Sequence, residues 1–339
     1  MNRKRILFFM SLALVFSILS LNALPAPELS PADRILTDQA GRTVAISGSV
    51  ERIISGYYIS SSALIALGLE DKLVGIEARA NERPIYALAA PALLDLPSVG
   101  TARELNMEAA LALHPDLVIL PIRQRASADI MEELHIPVLL VDPESPEELI
   151  AMIELIGRAA NEEHRASLLV NHYRRSLDEI RRITSGIIDR PLVYMGGVGS
   201  YLSTAPAEMY QSSLIELAGG INAAAKIPGS ARMAISYEHL LTMNPDVIVI
   251  PSEAAYTRED IFGDPQLANI RAVLNGRVYQ MPGSFEAWDS PVTSFTLGIR
   301  WLLSVLHENL YSMESMREYA AAFYREFYGF AIDTGLIER

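Results

Sequence analysis

The chain has 339 residues, half of them hydrophobic and a fifth charged, which provides for a substantial core and argues against global disorder. The length suits two domains of ordinary size. The net charge of −13 speaks against a nucleic-acid binder, and the absence of cysteine excludes disulfides, thiolate metal sites and cysteine nucleophiles.

In chain order, Arg3, Lys4 and Arg5 precede an uncharged apolar run over 6–21, then Asn22, Ala23, Leu24, Pro25 and Ala26. A basic start, an apolar stretch and a small-residue end predict a secretory signal over 1–26, with an uncleaved anchor as the alternative. Without cysteine, bacterial lipoprotein attachment is ruled out, so a free periplasmic protein is expected. Residues 27–36 read as a tether and 37–46 as a hairpin about a glycine. Strands are predicted at 52–55, 73–76 and 137–141, with helices at 60–69 and 124–135 between them. This alternation predicts an α/β lobe with a parallel sheet over 37–145.

No strand signal occurs over 146–184; helices are predicted for 146–158 and 162–184. At 1.5 Å per residue the second spans about 35 Å, enough to cross between lobes. It forms the core of a helical linker over 146–186. A second α/β lobe over 190–330 opens with a strand at 191–196. It continues through a helix near 208–218, a strand at 277–282, and helices near 293–308 and 314–327.

One segment is written twice. Residues 106–121 read NMEAALALHPDLVILP and residues 236–251 read SYEHLLTMNPDVIVIP, with Glu108/Glu238, Leu111/Leu241, Pro115/Pro245, Asp116/Asp246 and Pro121/Pro251 coinciding. Each copy is a short helix, a Pro-Asp turn and a buried strand. SSLIELAGG (212–220) echoes SSALIALGL (61–69) more weakly. A copy this distant indicates two similar lobes and a cleft between them, whereas a solenoid repeats at far shorter spacing.

The segment GGVGS (196–200) lacks the spacing of a dinucleotide fingerprint and reads as a flexible strand-end loop. No GxSxG, Walker or HExxH motif occurs, and the six histidines are scattered, so neither catalytic nor metal-ligating residues are expected. His114 stands where the copy has Asn244, at a helix end before Pro-Asp, which suits capping. Open parallel sheets bind ligands beyond the carboxyl ends of their strands. The loops there hold Tyr57, Tyr58, Arg79, Arg83, Arg123, Tyr201 and Trp288, a set suited to an anionic or metal-chelate ligand with flat organic parts. Glu108 and Glu238 each follow a cap-type residue by two positions. They either compensate a helix dipole or, as a symmetric pair, dock on a basic partner.

The chain resembles the periplasmic binding proteins of ABC transporters for iron-siderophore, haem and vitamin B12 uptake, the helical-backbone metal-receptor type. The N-terminal likeness runs through RIIS, SSALIALGLEDKLVGI, LNMEAALALHPDLVIL and IPVLLVD; the C-terminal one through YQSSLIELAGGINAAA, ISYEHLLTMNPDVIVIP and WDSPVTSFTLGIRWL. The resemblance implies two Rossmann-like lobes joined by one long helix, a ligand cleft between them, and no catalysis or resident cofactor. It implies a monomer that delivers an iron chelate, haem or corrinoid to an ABC permease dimer with its ATPase, docking through Glu108 and Glu238. An oxyanion such as molybdate is the alternative ligand, and an exported α/β enzyme the alternative from another class.

Overall fold

The computed structural model describes residues 33–339; the expected signal over 1–26 lies outside them. The hairpin is β1 (Arg34–Thr37) and β2 (Thr43–Ile46), paired antiparallel from Arg34↔Ile46 to Thr37↔Thr43. It thus begins inside the expected tether, because Leu36 and the alternate residues Val44 and Ile46 bury one face.

The first lobe continues with β3 (Ile53–Ser55), α1 (Tyr58–Ala66), β4 (Leu73–Gly75), α2 (Pro84–Ala89) and a small ladder of β5 (Gly100–Thr101) and β6 (Glu104–Leu105). Next come α3 (Met107–Ala112), β7 (Leu117–Pro121), α4 (Arg125–Glu133) and β8 (Val138–Val141). Helices α5 (Pro146–Ala160) and α6 (Glu163–Thr184) follow. The second lobe holds β9 (Leu192–Met195), β10 (Ser203–Thr204), α7 (Tyr210–Leu217), β11 (Ile221–Asn222), β12 (Met233–Ala234) and α8 (Tyr237–Met243). It ends with β13 (Val247–Ile250), α9 (Arg258–Gly263), α10 (Arg271–Leu274), β14 (Val278–Gln280), α11 (Phe295–Leu306) and α12 (Met313–Phe327).

Two parallel four-stranded sheets result, in the orders β4-β3-β7-β8 and β11-β9-β13-β14. The orders correspond strand for strand, and the copied segments supply the third strand of each. These two third-position strands, β7 and β13, are fully buried, as the unbroken apolar runs LVIL and VIVI require of a parallel sheet covered on both faces.

The conserved punctuation of the two copies has a physical reason. Asn106 and Ser236 cap α3 and α8 through side chains that accept from Ala109 N and His239 N, each at 3.1 Å. His114 and Asn244 leave those helices with left-handed φ of 45° and 44°. Asp116 Oδ2 then accepts from the backbone N–H of Glu51 and Arg52, both at 2.9 Å, and Asp246 Oδ2 from that of Leu192 at 2.8 Å. Each aspartate therefore ties the copied strand to the start of its neighbour. The weaker echo has the same basis: α1 and α7 follow the first sheet strand of each lobe and stop at Gly68 and Gly219, with φ of 70° and 81°.

Helix α6 buries Ala166, Leu169, Val170, Tyr173, Ser176, Leu177 and Ile180, a stripe of helical period, and leaves its charges outside. One continuous core runs from the hairpin through α1, α5 and α6 to α7, α11 and α12. Gly298 lets α11 lie on the loop before it, since a Cβ there would stand 2.2 Å from the Trp288 carbonyl oxygen.

Candidate ligand-binding cleft

The carboxyl ends of β3, β4, β7 and β8 carry the first-lobe candidates. Tyr57 has extended backbone at the entry to α1, and its carbonyl oxygen accepts from Ser55 Oγ at 3.1 Å and Ser60 Oγ at 2.8 Å. The two serines fix the direction in which the ring leaves the strand. The Arg123 guanidinium lies 5.2 Å from the Tyr57 ring centroid and is held by a 2.8 Å bond to the Ala102 carbonyl. Burial pushes the Tyr57 phenol up to about 12, with Glu144 and then Asp142 adding to the rise and Arg123 opposing it. Burial likewise raises Asp142 and Glu144, two acids just past β8.

Tyr58 is buried with its ring edge-on to Tyr86 and with the Arg83 guanidinium 4.1 Å from its centroid. Arg83 stands at the entry to α2, where Pro84 opens the helix. Its Nη1 ion-pairs with Glu253 Oε1, which belongs to the second lobe just beyond β13. Arg79 lies apart from this pair: it is exposed, has a left-handed φ of 67° and pairs with Glu82 three residues on.

Beneath these rings lies a layer of serines and carboxylates. Ser61 Oγ donates to Glu77 Oε2 at 2.6 Å and Tyr86 OH to Glu77 Oε1 at 2.5 Å. Ser62 Oγ donates to Glu286 Oε1 at 2.6 Å, and Tyr328 OH lies at 3.2–3.3 Å from both carboxylate oxygens. Burial raises Glu77 and takes Glu286 to about 7, with the hydroxyl bonds opposing both shifts.

On the second lobe, Arg232 Nη1 donates to the Gly196 carbonyl at 3.1 Å, and its Nη2 lies 3.9 Å from Asp289 Oδ2. Asp289 is buried and accepts from Ser252 Oγ at 2.6 Å. The Tyr256 hydroxyl is buried beside Gly196 and has no hydrogen-bond partner among the described residues.

One sequence candidate lies in the core. Trp288 is fully buried, its Nε1 donating to Tyr324 OH at 3.0 Å and its ring stacked on Phe285, so it is a core residue rather than a cleft anchor. Its loop does follow the last sheet strand, but the ring turns into the core, and the neighbouring Asp289 carboxylate accepts from Ser252 Oγ. Tyr201 turns its hydroxyl to Asp264 Oδ2 at 2.9 Å, beside Tyr237 at the start of α8, while its ring stands edge-on to Tyr256 with centroids 5.4 Å apart. Geometry thus brings together Tyr57 with Arg123, and Tyr58 with Arg83. The sequence reading missed Glu253, Arg232, Tyr256, Asp142 and Glu144. A signal was available only for Glu253, which follows the copied strand directly. Glu108 and Glu238 lie exposed in the first turns of α3 and α8.

The sequence pattern of the family described as "Periplasmic binding protein" matches residues 53–284, and the chain belongs to that family. The molybdate-binding protein MolA of Haemophilus influenzae is 26% identical, with 94% of this chain and 95% of that protein covered. The Fe(3+)-citrate-binding protein YfmC of Bacillus subtilis is 24% identical over 74% of this chain and 78% of its own. A periplasmic solute binding protein from Veillonella parvula superposes with a TM-score of 0.79 at 25% identity, covering 90% of this chain and 95% of that one. The family binds solutes and is not a family of enzymes.

Proposed function

We propose that this member of the periplasmic binding protein family captures a metal chelate, an iron-siderophore complex or a tetrapyrrole such as haem or a corrinoid, between its lobes. It then delivers that ligand to an ABC permease dimer driven by its ATPase. The observation that carries the ligand reading is the pair of guanidinium-capped rings, Arg123 over Tyr57 and Arg83 over Tyr58. Flat organic groups pack on such rings, while the guanidinium edges take carboxylates. Each cleft arginine also has a carboxylate close by: Glu82 for Arg79, Glu253 for Arg83, and Asp289 for Arg232, with Asp142 and Glu144 in the field of Arg123. A cleft so neutralised suits a large, charge-dispersed complex better than a compact dianion.

A second reading, an oxyanion such as molybdate, draws on the likeness to the molybdate-binding relative over nearly the whole chain. Calorimetry with ferric citrate, haem, cyanocobalamin and molybdate separates the two. Binding of an organic complex supports the first, and binding of molybdate alone establishes the second. In this reading residues 1–26 direct export to the periplasm as a free monomer, 146–186 link the lobes of 37–145 and 190–330, and Glu108 and Glu238 meet the permease.

A further inference from the structure

Among the cleft arginines, Arg83 stands alone in how it is held. Arg79 pairs with Glu82 on its own short helical turn, Arg123 is tied to Ala102 O, and Arg232 is tied to Gly196 O and Asp289. Each of those partners comes from the arginine's own lobe. Arg83 reaches across the cleft to Glu253, and among the described residues its side chain makes no other hydrogen bond. The Arg83 side chain is 25% exposed and lies on Tyr58, whereas the Glu253 side chain is 44% exposed. The cation is thus fixed and partly desolvated, while the acid is free to turn outward. A guanidinium is a planar fork that donates two parallel hydrogen bonds to a carboxylate or oxyanion. Glu253 already supplies one such anion from within the protein.

Resting on the cleft reading above, we propose that Glu253 is the specificity-determining residue of the cleft, an internal anion that a ligand must displace from Arg83. A ligand bringing a carboxylate or oxyanion to Arg83 replaces like with like and leaves no unpaired buried charge. A ligand without an anionic group gains nothing at this position and leaves the Arg83–Glu253 pair closed. The ligand class selected is therefore a complex with at least one exposed anionic group. Because Glu253 competes for the site, it weakens the binding of such ligands and screens out those that pair poorly with the guanidinium.

The test is calorimetry on the full chain and on Glu253→Gln, Glu253→Ala and Arg83→Gln, with ferric citrate, molybdate and ferrichrome as probes. Ferric citrate offers carboxylates, molybdate a free oxyanion, and ferrichrome, a neutral ferric trihydroxamate, no free anionic group. Removing the competitor is expected to tighten the anionic probe that binds by about tenfold or more in both Glu253 variants. Arg83→Gln should weaken the same probe by at least as much, and adding Glu253→Gln to it should change nothing further. Ferrichrome affinity should be the same in the parent and in both Glu253 variants. Equal or weaker binding of the anionic probe by both Glu253 variants overturns the proposal while leaving the cleft reading intact. If no probe binds parent or variant, the cleft reading falls and the proposal with it.

Discussion

Ser62 and Glu286 meet at 2.6 Å, joining the first helix of one lobe to the loop that follows the last sheet strand of the other. The Glu286 carboxyl is buried and its pKa rises from 4.5 to about 7. The sign of the consequence is fixed by linkage. Below pH 4.5 the carboxyl is protonated in both the folded and the unfolded chain, and no penalty arises. Between 4.5 and about 7 the unfolded chain gives up the proton first, so stability falls as pH rises. The loss is about 3 kcal/mol once pH exceeds the folded value. Glu286→Gln should remove this contribution, so that urea midpoints between pH 4.5 and about 7 fall less, or rise more, with increasing pH than the parent's do. A variant whose midpoints keep the parent's pH profile would remove Glu286 as the source.

His172 gives the opposite dependence. It is part-buried among Tyr319, Phe323 and Phe327, and burial, then Arg175 and Arg300, lowers it from 6.5 to about 4. Its contribution is present above pH 6.5 and is lost as pH falls through about 4. In the parent the two groups oppose one another between 4.5 and 6.5. In that window His172→Gln should therefore make stability rise more steeply toward acid, and Glu286→Gln should make it fall toward acid. Identical profiles for the two variants would contradict the assignment.

Core and cleft separate by mutation. Trp288→Ala removes a fully buried ring and strands the Tyr324 hydroxyl, so folding stability should drop by about 3–5 kcal/mol. Tyr57→Ala and Arg83→Ala should instead lower ligand affinity by roughly 1–3 kcal/mol with small shifts in melting temperature. Denaturant melts and calorimetry on the same preparations decide. A Trp288→Ala protein as stable as the parent would return that residue to the cleft surface.

The fold was legible because its signals are local. Pro115 and Asp116, like Pro245 and Asp246, mark a helix end and a strand start within a few residues, and in both lobes the aspartate accepts from a backbone N–H at the start of the neighbouring strand. The cleft was harder to read because its pairs form across long sequence distances. Arg83 and Glu253 are 170 residues apart, and nothing in either neighbourhood names the other. Adjacent Tyr57 and Tyr58 are both aromatic in sequence, yet one is part-exposed and the other buried. Trp288 has the strand-end position of a cleft residue, but position along the chain does not tell which way a ring turns, and this one packs on Phe285 and Tyr324.

Helix α6 limits how far the lobes can move. Its 22 residues are anchored on both sides: Tyr173 OH donates to Thr293 O at 2.6 Å, and Arg165 Nε donates to Ala66 O at 2.9 Å. Bending it would break backbone bonds inside a packed stripe. Small-angle scattering with and without a bound probe should give nearly the same radius of gyration. A large compaction would instead demand a hinge that this helix does not provide.

The proposed docking role of Glu108 and Glu238 can be tested apart from folding. They stand at equivalent positions in the first turns of α3 and α8, beyond side-chain caps that already satisfy a backbone donor at each helix start. Their dipole contribution is therefore small, and Glu→Gln at either position should cost no more than about 1 kcal/mol of stability. Neither carboxylate touches the Tyr57, Tyr58, Arg83 or Arg123 groups, so affinity for the bound probe should stay at the parent's value. A dimeric permease presenting a cation at matching sites would lose one charge pair with each single variant and both with the double variant. Uptake in reconstituted vesicles should fall in each single variant and furthest in Glu108→Gln/Glu238→Gln, because every lost acid leaves a permease cation unpaired at the interface. Full uptake by the double variant, with normal ligand affinity, would reduce both residues to helix-start acids and place the permease contact elsewhere on the two lobes.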